Sequence, residues 1–166
     1  MAQRLAFFLP DLSQGGAQRV IITLANYYAA QGYPVDLIVG WVGEACPQEI
    51  HPRVAIHDLH TPRRLLAAPA LARAIRTLRS TNLLSTIFNL TPLLARSLTA
   101  LPVRIVIREA TTLSHALRWY PMHPVKHWLT RVATRWLYPR ADAVVAVSKG
   151  VAQDLLNLIP QLKPKL

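Results

Sequence analysis

Short apolar segments alternating with amphipathic helices predict an α/β fold, a parallel sheet with helices on both faces. Three observations carry this expectation. Leu5–Leu9, Val35–Val39, Leu83–Phe88, Val103–Ile107 and Ala143–Val147 are mostly apolar runs of strand length. They lack the strict polar alternation of a half-exposed sheet, as strands covered on both sides should. Between them, apolar residues recur at helical spacing. The chain has 166 residues, 52% hydrophobic and 16% charged, so it holds about one domain with a sizeable core and is not a disordered polymer.

The elements follow in order. Leu5–Leu9 is the first strand, and the loop Pro10-Asp11-Leu12-Ser13-Gln14-Gly15-Gly16 follows it. Ala17, Val20, Ile21, Leu24, Ala25 and Tyr28 place an amphipathic helix over residues 16–31, with Gly32 where a C-terminal cap belongs. Pro34 opens the strand Val35–Val39, and Val54–Ile56 is a weaker third strand. Pro69 suits the first turn of a helix bearing Leu71, Ile75 and Leu78 on one side and Arg73, Arg76 and Arg79 largely on the other. Leu83–Phe88 is the fourth strand, Pro92–Thr99 a short helix, and Val103–Ile107 the fifth strand, followed by a polar stretch from Arg108 to Ser114. A long helix runs from about Pro124 to Tyr138. Ala143–Val147 is the sixth strand, Ser148 caps a last helix over Lys149–Ile159, and 161–166 reads as a linker.

In such sheets ligands sit beyond the carboxyl ends of the strands. The segments to search are therefore 10–16, 40–47, 57–62, 89–91, 108–114 and 148–149, with Asn89 opening the fourth. Gly15 and Gly16 let backbone approach a ligand at a helix N-terminus, where free N–H groups suit a diphosphate. Arg19 adds charge in the first turn. The alternative is a plain strand-to-helix turn with a solvated arginine, since the pattern is neither a full dinucleotide fingerprint nor a Walker loop. Arg108 and Glu109, at the end of the fifth strand, would face the crevice together and orient a hydroxyl or phosphate; a local ion pair is the alternative. His57 and His60 follow a strand. His115, beyond Arg108-Glu109, is the better acid–base candidate, although exposed histidine is the commoner state. Ser148 and Lys149 end the sixth strand, where capping alone would explain the serine.

The charge sums to +11, from 19 Lys and Arg against 8 Asp and Glu. Such a surface attracts phosphates, anionic lipids or nucleic acid. Nucleic acid has charge alone in its favour, with no zinc finger, ribonucleoprotein or helix-turn-helix pattern. A single cysteine, Cys46, excludes an internal disulfide and a cysteine-based zinc site, and the six histidines show no metal spacing, so neither metal nor cofactor is expected. The first apolar stretch stops at Pro10-Asp11, too short for a signal-peptide core, and no run reaches a membrane span. We expect a cytoplasmic chain, peripheral on the inner face of a membrane if bound to one. The membrane signal lies in the helix 124–138. His127, Arg131 and Arg135 form a basic stripe beside Trp128, Val132 and Trp136, with Leu129, Ala133 and Leu137 next. Tryptophan beside arginine suits an interface, so Trp128, Arg131 and Arg135 are membrane-facing candidates. Tryptophans in the core with solvated arginines would be the alternative.

Three blocks carry a family resemblance. Gly15-Gly16-Ala17-Gln18-Arg19-Val20 with Leu24-Ala25-Asn26-Tyr27 and Gly32-Tyr33-Pro34-Val35-Asp36-Leu37 is the first. Arg108-Glu109 with Leu113-Ser114 is the second. The third and most specific runs from Leu137-Tyr138-Pro139-Arg140-Ala141-Asp142 through Ser148-Lys149-Gly150 to Leu155. Together they resemble the N-terminal half of the family 4 retaining glycosyltransferases of the GT-B fold, over nearly the whole chain. The resemblance implies a Rossmann-like acceptor-binding domain over 1–160 and, at 161–166, the start of a linker to a C-terminal domain that carries the donor site. It also implies sugar transfer from a nucleotide-sugar to a glycan or lipid-linked acceptor, with little turnover by this half alone. On the family's pattern Gly15 and Gly16 face the donor diphosphate or the acceptor, Arg108 and Glu109 position hydroxyls, and Ser148 and Lys149 line the cleft. Gln18 stands where the family often has Glu, and Ala110-Thr111 replaces a common His-Asn, which weakens a catalytic role for that loop. The competing expectation is a non-catalytic basic module for a membrane or partner.

Overall fold

The computed structural model describes residues 4–43, 49–61, 67–87, 89–99, 103–119 and 124–166. Cys46, His123 and Phe88, the expected end of the fourth strand, lie outside them. The chain order is β1 (Leu5–Asp11), α1 (Gly16–Ala30), β2 (Val35–Trp41), β3 (Val54–Asp58), α2 (Ala67–Leu78), β4 (Asn82–Thr86), α3 (Leu90–Thr99), β5 (Arg104–Glu109), α4 (Leu113–Trp119), α5 (Pro124–Leu137), β6 (Ala143–Ala146) and α6 (Lys149–Leu158). The six strands form one sheet in the order β3-β2-β1-β4-β5-β6, and each neighbouring pair is parallel. This is the Rossmann-like α/β architecture that the strand and helix alternation predicts.

Side chains alternate across the pleat and sort the core into two layers. Phe7 and Leu9 of β1 with Leu37 and Val39 of β2 pack against Ile21, Ile22, Ala25 and Ala29 of α1. The intervening Ala6, Phe8 and Ile38 face the other way and share a core with Leu83, Ile105, Ile107 and Val144, and with residues of α2, α3, α5 and α6. Gly32, at φ 85°, ends α1: its N–H reaches Ala29 O, and Tyr33 N reaches Tyr28 O, the paired bonds of a glycine-terminated helix. Asp36 is a buried exception within β2. Arg4 Nη1 holds it at 3.0 and 3.2 Å, and His57 Nε2 lies at 2.8 Å.

Several boundaries differ from expectation. β3 runs two residues further, to Asp58, because pairing with β2 continues through Ile38–His57 and Val39–Asp58. β4 ends at Thr86. The polar stretch after β5 leads into a helix that periodicity missed, α4, tied to α6 where Ser114 N donates to Asp154 Oδ2 at 3.0 Å and Ser114 Oγ to Asp154 Oδ1. α5 stops at Leu137, and Tyr138–Arg140 forms a tight 3-10 turn. The tail expected to leave the domain as a linker instead packs on it. Residues Pro160–Lys165 form a 3-10 turn that buries Leu162 completely, and Lys165 Nζ donates to Pro139 O at 2.6 Å and Ala141 O at 2.9 Å.

Candidate functional site at the carboxyl ends of the strands

β1 and β4 are adjacent, yet the chain leaves them toward opposite faces, into α1 and α3. That divergence opens a crevice at their carboxyl ends. On the β1 side the loop is built around Asp11, whose Oδ1 accepts from Ser13 N at 3.2 Å, Ser13 Oγ at 2.5 Å and Gln18 Nε2 at 3.1 Å. Gln18 also donates to Ser13 Oγ at 3.0 Å and is buried beneath Gly15. A Cβ on Gly15 would lie 2.1 Å from Gln18 Oε1, whereas one on Gly16 would meet nothing within 4 Å. No side chain caps α1 and no acid sits in its first turn, so its N-terminus presents a positive end to the crevice. Arg19 is exposed there. Gln18 is a residue that sequence reasoning undervalued: it registered only as a departure from the family's Glu.

On the β4 side, Ile87 adopts φ 59°, a left-handed conformation costly for a β-branched residue. Asn89 is 3% exposed. Its Nδ2 donates to Arg108 O and to Glu109 Oε2, both at 3.2 Å. Tyr138 OH, from the 3-10 turn after α5, donates to the same Glu109 oxygen at 2.7 Å. In the sequence Tyr138 stood out only as the expected end of the long helix and inside a family block.

The structure separates Arg108 from Glu109. Successive strand residues point to opposite faces. Arg108 pairs in register with Thr86, whose Oγ1 its Nη1 meets at 3.5 Å, and its side chain is half-buried beside the exposed Val145. Glu109 turns into the core on the other face, 7% exposed. The expectation that both groups face one crevice therefore fails for a geometric reason, the two-residue period of the pleat. Burial pushes the Glu109 carboxyl above its ordinary value, outweighing the hydrogen bonds from Tyr138, Asn89 and Ala110 N and the charge of Arg108. Burial and the neighbouring Glu109 likewise raise Tyr138 well above the phenol range.

Ser148 and Lys149 lie one step further along this edge, both exposed, with Val147 N bonded to Glu109 O at 3.2 Å. Ser148 Oγ accepts from Val151 N at 3.2 Å, so the cap expected for α6 is present. His115 is exposed on α4. His57 sits inside β3 against Asp36, and His60 meets Asp58 at 3.3 Å on the edge strand, so neither joins this crevice. Trp128, Arg131 and Arg135 are all exposed on α5, apart from these loops. Among the described residues no three His, Cys, Asp or Glu side chains are grouped to hold a metal ion, and no helix is long and apolar enough to cross a membrane.

Comparison with known proteins identifies the family. The sequence profile of Glycosyltransferase Family 4 matches residues 14–164. The chain belongs to Glycosyltransferase Family 4. Its N-terminal glycine loop, the Arg108-Glu109 strand end and the Ser148 cap all fall within the matched stretch. A curated relative from Campylobacter jejuni, N-acetylgalactosamine-N,N'-diacetylbacillosaminyl-diphospho-undecaprenol 4-alpha-N-acetylgalactosaminyltransferase, is 29% identical across 93% of this chain and 44% of its own length. The family domain described here thus spans less than half of that relative. Among solved structures, sucrose-phosphate synthase from Thermosynechococcus elongatus superposes with a TM-score of 0.67 at 14% identity, covering 93% of this chain and 44% of that one. A glycosyltransferase from Rickettsia africae gives 0.63 at 17% identity, covering 93% and 39%. UGT2 of Phytolacca americana, solved with UDP-2fluoro-glucose and pterostilbene, gives 0.64 at 12% identity, covering 97% and 52%. At these identities the structural likeness establishes the fold.

Proposed function

We propose that this family 4 domain is the acceptor-side half of a retaining glycosyltransferase that moves a sugar from a nucleotide-sugar to a lipid-linked glycan at an anionic membrane surface. The observation that carries the membrane setting is the outer face of α5. Trp128 (61% exposed), Leu129, Val132 and Trp136 (60%) stand in solvent beside exposed Arg131 and Arg135. An apolar helical face flanked by arginine buries itself at the headgroup boundary, while the arginines meet lipid phosphates. The Campylobacter jejuni relative, whose name specifies a diphospho-undecaprenol substrate, supports a lipid-linked acceptor.

In this reading the N–H of Gly16, with the positive end of α1, faces a diphosphate, where negative charge develops as the leaving group departs, while the Gly15 N–H is held by Ser13 O at 3.0 Å and shapes the loop. Arg108, on the open side of β5, meets an acceptor or sugar hydroxyl or phosphate. Ser148, Lys149 and His115 line the outer part of the cleft. A C-terminal domain supplies the remainder of the donor pocket, so this half alone turns over little.

Two measurements test the reading. Co-sedimentation with vesicles containing phosphatidylglycerol should show binding that weakens as salt rises and drops on Trp128→Ser or Arg131→Ala. No binding at low salt removes the membrane setting. Joined to a family 4 C-terminal domain, the chain should transfer sugar to an undecaprenyl-diphosphate-linked glycan. Failure with every nucleotide-sugar tried removes the enzymatic reading and leaves a membrane-binding module.

A further inference from the structure

Asn89 stands just before α3, a position where asparagine normally caps a helix by accepting from the N–H two or three residues on. Here the third residue is Pro92, which has no N–H. The amide is instead turned away: both its Nδ2 hydrogens are used, one on Arg108 O and one on Glu109 Oε2. Reversing the amide would set Oδ1 against two acceptors, so the orientation is fixed. Glu109 is fixed in turn by Tyr138 OH on the same oxygen. The network leaves one atom unanswered: Asn89 Oδ1 is buried without a hydrogen-bond partner. A lone buried acceptor is costly, and Ile87, just beyond β4, is itself held in a strained left-handed conformation.

We propose that Glu109 and Tyr138 are positioning residues that hold Asn89 so that its Oδ1 accepts a hydrogen bond from a hydroxyl of the bound sugar or acceptor. An amide oxygen can only accept, so the partner must be a donor, and sugar hydroxyls are the donors that the proposed reaction brings to the carboxyl end of β4. The inference rests on the sugar-transfer reading and deepens it. Glu109 takes no proton from substrate in this scheme. It works through Asn89, as Tyr138 works through Glu109. The charged or titratable groups acting on Glu109 are Tyr138 from the turn after α5 and Arg108 on its own strand.

The test uses the isotopically labelled chain, NMR of the Asn89 side-chain amide, and methyl α-N-acetylgalactosaminide and methyl α-glucoside as probes. At least one glycoside should shift the Asn89 amide signals, and Asn89→Leu should weaken its binding roughly tenfold or more. Tyr138→Phe should weaken it about three- to tenfold although Tyr138 touches no ligand, and Glu109→Leu by roughly tenfold, while Glu109→Gln, which keeps an acceptor oxygen, should stay within about threefold of wild type. The Asn89 amide signals should also follow the ionisation of Glu109, and that pH dependence should vanish in Glu109→Gln. Glycoside binding that is unchanged in folded Tyr138→Phe and Asn89→Leu overturns the positioning role and leaves the sugar reading intact. No change in the amide signals with either glycoside, beside an intact Glu109-linked titration, overturns the hydroxyl contact and leaves the network as structural, while the sugar-transfer reading is decided by the transfer assay. If Glu109→Leu does not fold, Tyr138→Phe against Glu109→Gln still decides.

Discussion

Tyr138 OH and Glu109 Oε2 are 2.7 Å apart in the core, joining the turn that ends α5 to the strand that carries Arg108. The tyrosine is 3% exposed and the glutamate 7%, so the bond is shielded from water. Through it the helix with the outward tryptophans and the floor of the crevice share one hydrogen-bonded unit. It also sets the energetics of the carboxyl, because a buried carboxylate is tolerated only while its donors stay in place.

Burial raises the Glu109 pKa above its ordinary 4.5, so the folded state holds this proton more tightly than the unfolded chain does. The associated stability is complete below 4.5 and is lost as pH rises through the folded pKa. Glu109→Gln removes that loss. Urea midpoints of variant and wild type should converge at acid pH and separate in the variant's favour toward neutrality. The gap should widen by about 1.4 kcal/mol for each pH unit between 4.5 and the folded pKa, then level off.

Asp142 titrates in the opposite sense. Partial burial pushes its carboxyl up, but the N–H of Ile105 at 2.8 Å, the Arg96 guanidinium and the charge of Lys165 prevail and hold it below 3.8. Its stability is present above 3.8 and lost as pH falls through the folded pKa. Asp142→Asn should therefore flatten the acid limb of the stability curve, with an effect kept small by solvent screening at this part-exposed pair.

Gly15→Ala places a methyl against Gln18 and forces it off Asp11 and Ser13. A cost of about 1–2 kcal/mol is expected by urea denaturation. Gly16→Ala, with open space, should change stability by about 0.5 kcal/mol or less. In a double-mutant cycle Gln18→Ala should absorb most of the Gly15→Ala cost.

Leu162 is fully buried in the core shared by α3, α5 and α6. Leu162→Ala should cost roughly 2–4 kcal/mol, measured as a drop in the unfolding midpoint. A free linker would show none of this.

Trp128→Ser should leave stability within about 0.5 kcal/mol, because the side chain is 61% exposed. The same variant should lose vesicle binding. A large destabilisation would instead place the indole in a packed environment and remove it from the membrane face.

The sequence by itself determined the local and periodic features. Strand-length apolar runs and 3.6-residue spacing gave the order of strands and most helices, and Gly32 and Ser148 marked helix ends because caps depend on a few neighbouring residues. The glycine loop and the Ser148 block carried the family. Tertiary structure alone decided what depends on strangers in the chain. β3 gained two residues from its partner strand, and α4 formed where Ser114 found Asp154, forty residues away. Leu162 turned an expected linker into core. The same holds at the crevice. Arg108 and Glu109 are adjacent in sequence, but the pleat sends them to opposite faces, and Glu109 acquires its character from Tyr138 and Asn89, residues 29 and 20 positions distant. Periodicity reports which way a side chain faces relative to its neighbours; only the assembled layers fix what it meets there.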